Sequence, residues 1–431
     1  FHRHLEPMTR ITPAAAWVAV SLLLAAGVPG PAQAGGQPSD ARAAPAVSLL
    51  TFAPGEVYWQ RFGHNALLIS DAAGARVYNY GIFDFEQKNF FLNFARGEMR
   101  YRLEVEPLWS TLPRYRDEGR WVLEQRLDLD PAQAAALSDF LEWNARPENA
   151  EYRYDYFRDN CSTRLRDALD RALNGELRRQ LEPQLTPSSF RHEAVRMMSP
   201  LPALALGMDW IIGPATEPAL NLWQQGFLPE VLMQSLRQVK QPSADGQARA
   251  LVRAEARLLP GVNAAPPEHP PAWTGRFAFT GILCALVLLA LARAAARFAF
   301  AGAAVLLALA AGLGGVVLFC GWTLTAHWVI GANQNLLLFS PFCLLLLPAW
   351  AGNARAAWRP SRRQQGLALA VAFVAALAPV LKLLPVAQQS NTAWIALMLP
   401  IHFALAFSIC FPASRAPEKT RERRREPCAK R

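Results

Sequence analysis

The chain has 431 residues, a formal net charge of +10 and 52% hydrophobic residues. Its basic excess excludes a nucleic-acid footprint as the simple reading, because the charge gathers in the loops and tail of an apolar C-terminal half, while the stretch before that half holds slightly more Asp and Glu than Lys and Arg. Apolar runs of about 20 residues exclude a single soluble globule.

In chain order, the residues before Met8 read as upstream sequence. A secretory signal follows: Arg10 supplies charge, residues 14–26 are apolar, and Ala32-Gln33-Ala34 fits small-x-small cleavage. Residues 1–34 are thus set aside, and 35–242 are expected to form one exported domain. Within it, His64 begins an apolar β-rich run, Asp71-Ala72-Ala73-Gly74 reads as a turn, and Val77 to Phe85 as the returning strand. Strand-like alternation recurs over 103–113 and 120–129, and a helix with Pro131 in its first turn covers 131–143.

Tyr152, Tyr154 and Tyr156 then alternate toward Asp159-Asn160-Cys161-Ser162-Thr163-Arg164. There Asp159 and Asn160 offer N-cap chemistry and Leu165, Leu169 and Leu173 keep helical spacing. Cys161 therefore falls in the first turn of a helix. Free N–H groups and the helix dipole favour a thiolate at that place, with a pKa expected to fall to roughly 3.5–7.5. Of the six cysteines, four lie in apolar spans, Cys428 lies in the tail, and Cys161 alone lies in the exported part, where it has no disulfide partner. We read Cys161 as a nucleophile. No second Cys or closely spaced His pair accompanies it, so no metal is called for.

His64 is the expected base. A Cys at a helix start and a His at a strand end are the parts of a papain-like thiol site, in which a polar residue on the neighbouring strand fixes the imidazole. With the turn centred on Ala73, His64 lies opposite Ile82 or Phe83. Asp84 is then favoured as the orienting residue, with Asn79 as second choice, since a one-residue slip changes the face. The Cys161 N–H would supply part of an oxyanion hole. Asn160 and Arg164 flank the thiol as candidate substrate-binding residues.

Residues 243–272, rich in Ala, Pro and polar side chains, read as a linker. Five spans follow at 273–291, 298–320, 336–350, 366–384 and 393–411, then a basic tail, 412–431. The loops with Arg293/Arg297 and Arg355/Arg359/Arg362/Arg363 are basic and the other two carry no Lys or Arg. The positive-inside rule then leaves the N-terminal domain outside. His327, Asn333 and Asn335, in the outer loop between spans two and three, are candidates to line a lipid-substrate site.

The order His, then Cys about a hundred residues on, with Asn-Cys opening the helix, resembles the permuted NlpC-type group that includes lecithin:retinol acyltransferase-like enzymes. A wider resemblance rests on Phe62-Gly63-His64-Asn65, Tyr78-Asn79-Tyr80-Gly81, Gly97-Glu98-Met99-Arg100-Tyr101, Tyr152-Arg153-Tyr154-Asp155, Asp159-Asn160-Cys161-Ser162-Thr163-Arg164 and Phe227-Leu228-Pro229, with His327, Asn333 and Asn335 downstream. This set is similar to the Lnb family, and implies lipoprotein intramolecular transacylation, in which an acyl chain moves from a glyceryl group onto an N-terminal amine. The expectation is an α+β papain-like domain, permuted as in NlpC/LRAT-like proteins, plus an all-α bundle of about five transmembrane helices in a bacterial inner membrane, with the domain on the periplasmic side. It needs no cofactor, binds no nucleic acid, and has a membrane lipid or lipoprotein as partner. A papain-like envelope hydrolase using the same two residues and a non-catalytic envelope scaffold are the alternatives.

Overall fold

A computed structural model describes residues 44–242, 247–294, 296–385 and 388–411. The expected signal peptide and the basic tail with Cys428 lie outside the described residues.

The N-terminal domain is built on one antiparallel sheet. Its strands are β1 (Ala46–Phe52), β2 (His64–Asp71), β3 (Gly74–Ile82), β4 (Arg100–Pro107), β5 (Val122–Leu127) and β6 (Glu151–Arg153). Beyond these, β7 (Lys240–Pro242) and β8 (Ala248–Ala250) pair with each other, and β9 (Val252–Leu259) returns to the main sheet, whose order is β6-β4-β3-β2-β1-β5-β9. The central strands are apolar on both sides because both faces are covered. Leu49, Leu67, Ile69, Tyr78 and Tyr80 pack under the helices Pro131–Asn144 and Cys161–Ala172. Leu50, Phe52, Leu68 and Val77 pack on the other side against the helix Leu108–Asp117, whose Tyr115 stacks on Phe52 at 4.0 Å. Each such buried side chain contributes about 1.5–3 kcal/mol of transfer free energy.

Two expectations about this domain need correction. The segment expected as a linker contains β9, so the sheet reaches Leu259 and the connector to the first span is shorter. Arg253, Glu255 and Arg257 hid this strand: it is an edge with charged outward positions, which reads as loop composition. The strand expected to run to residue 113 ends at Pro107, where a helix begins.

Among the described residues five helices are long and apolar enough to cross a membrane: Thr274–Arg293, Arg297–Leu324, Gln334–Gly352, Arg362–Leu381 and Thr392–Cys410. The third looked short in sequence because it is segmented into 3-10 turns and a short helix, with Pro341 and Pro348 at the starts of two segments. The two uncharged loops meet the N-terminal domain. Gly213 N–H donates to Val329 O at 2.6 Å, and Gln389 Nε2 donates to Ile212 O at 3.0 Å. A buried ionic knot backs them, in which Arg191 holds Asp209 and Glu217, and Trp394 Nε1 donates to Asp209 Oδ2.

Candidate active site

The hairpin register decides which side chains meet. Asp71 pairs with Gly74, so the turn is the two residues Ala72-Ala73, closed by Ala73 N–H donating to Asp71 Oδ1 at 2.8 Å. Its centre lies half a residue earlier than the sequence suggested. The register, continued, therefore sets His64 across from Gly81 rather than Ile82 or Phe83. Asn79 stands two residues further, diagonal to His64 on the same face. His64 Nε2 accordingly lies 3.2 Å from Asn79 Oδ1. Asp84, the favoured orienting residue, lies beyond the strand, exposed, with Oδ1 accepting from Glu86 N–H at 2.8 Å; it does not orient His64.

Glu106 on β4 completes a relay that the sequence did not disclose. A carboxylate only accepts, so Glu106 Oε1, 3.1 Å from Asn79 Nδ2, fixes which way the Asn79 amide points. Asn79 Oδ1 also only accepts, so Nε2 of His64 carries the proton. Nδ1 keeps a lone pair. Burial holds His64 down at about 4, against the hydrogen bond it donates to Asn79; Arg120 and Arg114 add to the lowering. The imidazole is therefore neutral at pH 7 and able to accept a proton.

The ladder between β2 and β3 stops at Leu67↔Tyr78, and β3 carries an extra residue against β4 between Asn79 and Ile82. Gly81, at φ +87°, sits in this bulge. Cys161 fills the opening: a Cβ on Gly81 would lie 3.3 Å from that of Cys161, so only glycine suits both the backbone and the close approach. The main-chain N–H groups of Asn65, the residue after His64, of Ser162 and of Cys161 itself favour the ionised form of the Cys161 thiol. Ser162 Oγ lies 2.9 Å from Asn65 Oδ1 and 2.7 Å from Gly226 O, which pins the helix start to β2.

The thiol is not the low-pKa group expected from a helix start alone. Burial pushes it up to about 11, and the three N–H groups and Arg120 only partly offset the loss of water. No hydrogen bond joins the sulfur to His64 in this structure. At rest the site holds a neutral thiol on the helix tied to Asn65 and, one residue earlier on the same strand, a neutral, tautomer-locked imidazole.

Asn160 and Arg164 are committed to architecture rather than to substrate. Asn160 caps the Cys161 helix reciprocally with Thr163, and its Nδ2 donates to Tyr156 O and Phe227 O, both at 2.9 Å. Arg164 forms a bidentate pair with Asp159 and lies 3.7 Å from the Tyr152 ring centre. Asn333 and Asn335 do not line an open site either. Both amides are buried and donate to Trp210 O, Asn333 also to Ile211 O, while Asn333 Oδ1 accepts from Gln389 and Asn335 Oδ1 from Asn391. They clasp the domain to the bundle.

His327 differs from these two. It lines a cleft of about 330 Å³ between the bundle's outer loop and the segment leading to Cys161, together with Met99, Tyr154, Tyr156, Phe157 and Trp328. Its Nε2 reaches Phe94 O at 2.9 Å. Trp328 Nε1 donates to Asp155 Oδ2 at 2.7 Å, and Asp155 in turn accepts from Phe157 and Arg158 N–H, so the loop carrying the thiol is tied directly to the membrane half. Among the described residues no group of three or more His, Cys, Asp or Glu side chains could hold a metal ion.

Comparison with known proteins places both halves. Residues 39–195 match the Lnb N-terminal periplasmic domain, and residues 273–414 match the Lnb transmembrane domain, in that order. Neither the curated proteins nor the solved structures give a match.

Proposed function

The chain belongs to the Lnb family, a membrane protein with a periplasmic domain, and on that premise we propose that it is a cysteine acyltransferase acting on lipid or lipoprotein acyl chains through a thioester on Cys161. The specific reaction we favour is intramolecular transacylation of a lipoprotein N terminus, in the inner membrane. The observation that carries this reading is the convergence at the open end of β2 and β3. There the helix start that carries the thiol is bonded through Ser162 to Asn65, the residue after the tautomer-locked His64, and three main-chain N–H groups favour the thiol's ionised form.

In this mechanism the Nδ1 lone pair of His64 takes the thiol proton as Sγ attacks the ester carbonyl. A neutral pair suits this order, because the ion pair then forms only with substrate in place. The N–H groups of Cys161, Ser162 and Asn65 stabilise the oxyanion. Collapse breaks the acyl C–O bond, the imidazolium returns its proton to the departing alkoxide, and the acyl group stays on sulfur. An amine or alcohol acceptor then attacks the thioester, its proton passing through His64 to the leaving thiolate. Helix start, imidazole and amide on the next strand form a papain-like arrangement. The five spans supply access to a substrate that stays in the bilayer.

The test is labelled acyl-lipid with the purified full chain in detergent. Label on Cys161 that survives acid and is released by hydroxylamine is expected, and it disappears in Cys161→Ala and His64→Ala. Release of peptide fragments from cell-wall material, without such label, would instead establish a hydrolase. Wild-type function of both variants in cells would end the enzyme reading.

A further inference from the structure

Outside the thiol site, one surface of the N-terminal domain is unlike the rest. Tyr58, Trp59, Phe85, Phe91, Leu92 and Phe94 are all exposed, Phe91 by 77%. Their rings run in edge and stacked contacts, Trp59 on Phe85 at 5.7 Å, Phe85 on Phe90 at 5.0 Å, and Phe90 on Phe91 at 5.3 Å and Phe94 at 6.4 Å. A water-facing domain seldom leaves so large an aromatic patch uncovered.

The patch is continuous with the membrane half. The short helix Phe90–Arg96 that carries it ends at Gly97, φ +74°, where a Cβ would come within 3.1 Å of His327 N. Arg96 O accepts from Ala326 N–H at 2.8 Å, and Phe94 O from His327. Ala326 lies two residues past the end of the span Arg297–Leu324, so the helix Phe90–Arg96 is held close to that end of the span. Exposed Lys88 and Arg96 bracket the rings, as cationic side chains do at a headgroup layer.

The rings also lead inward. Phe90 faces Phe83 at 6.1 Å, Phe83 faces Tyr101 at 5.0 Å, and Tyr101 stacks on Tyr154 at 4.1 Å. Tyr154 Cε2 lies 3.7 Å from the point where a Gly81 Cβ would sit, and that point is also against Cys161. We propose that the segment from Phe85 to Phe94 dips into the outer leaflet and that the aromatic lane behind it draws the acyl chain of a membrane lipid to the thiol. The second half of this statement rests on the acyltransferase reading; the first does not.

Two measurements on the full chain in nanodiscs of phosphatidylethanolamine and phosphatidylglycerol test it. With Phe91→p-benzoylphenylalanine, ultraviolet irradiation should yield lipid adducts by mass spectrometry. The same group at Trp109, exposed near the opposite end of the hairpin, should yield few. Equal labelling at both positions overturns leaflet contact. Phe91→Asp with Phe94→Asp should lower Cys161 acylation from nanodisc lipid about tenfold relative to acylation by a water-soluble short-chain ester. An unchanged ratio overturns the lane. If neither donor acylates Cys161 while the adducts form, the acyltransferase reading fails and the leaflet contact stands.

Discussion

The clasp and the polar chain at the sheet end differ in what they leave open. In the clasp, Asn333, Asn335 and Gln389 use both ends of their amides: one end of each donates to Trp210 O or Ile212 O of the domain, and the other is held by neighbouring loops of the bundle. At the sheet end, Glu106, Asn79 and His64 are also chained, but the chain terminates in an imidazole nitrogen with a lone pair, on the residue before Asn65, to which the start of the thiol-bearing helix is bonded. Saturation marks structure. An ordered chain that ends in one unsatisfied acceptor marks chemistry.

That contrast can be broken most severely at the sulfur. Cys161→Ala should abolish acyl transfer, and His64→Ala should cost roughly 10²–10⁴-fold in rate, while the thermal midpoint of either variant in detergent stays near that of the parent chain. The clasp should respond in the opposite sense. Asn335→Leu leaves Asn391 Nδ2 buried without a partner, at about 1–3 kcal/mol, and leaves Trp210 O with Asn333 alone, so the midpoint should fall by several degrees with turnover per folded molecule retained.

Gly81→Ala probes the boundary between the two behaviours. A methyl group at φ +87°, 3.3 Å from the Cys161 Cβ, should cost about 1–2 kcal/mol and lower acylation more than it lowers stability, because the displaced group is the nucleophile itself. Glu106→Leu should reduce kcat while sparing KM, and Glu106→Gln should restore much of it, since a glutamine carbonyl can still accept from Asn79.

The smallest effect is one of pH. His64 is held at about 4, below an ordinary imidazole, so between pH 6.5 and 4 the unfolded chain binds more protons than the folded one. Stability from this group is complete above that window and falls as the pH drops through it; His64→Gln should flatten that part of the midpoint-against-pH curve. The acid limb of activity should likewise lie near pH 4–5. Alkylation of Cys161 should climb only as the pH approaches about 11.

The amino-acid sequence alone determined the two-part plan, the five spans, the hairpin from His64 and the helix beginning at Cys161. Each follows from a local property: apolar length, alternation, a capping Asn or a turn. It could not choose between Asp84 and Asn79, because a half-residue shift in the turn moves every cross-strand neighbour, and that shift is set by Gly74 and the bulge at Gly81 against β4. Nor could it tell that β9 belongs to the sheet, or that Asn333 and Asn335 are clasps, since an amide's role depends on which distant groups it meets. The thiol's acidity was reversed for the same reason. A helix end acts over one turn and is visible in sequence, whereas the burial that outweighs it comes from distant strands packing against the helix start, as Gly81 of β3 does against Cys161.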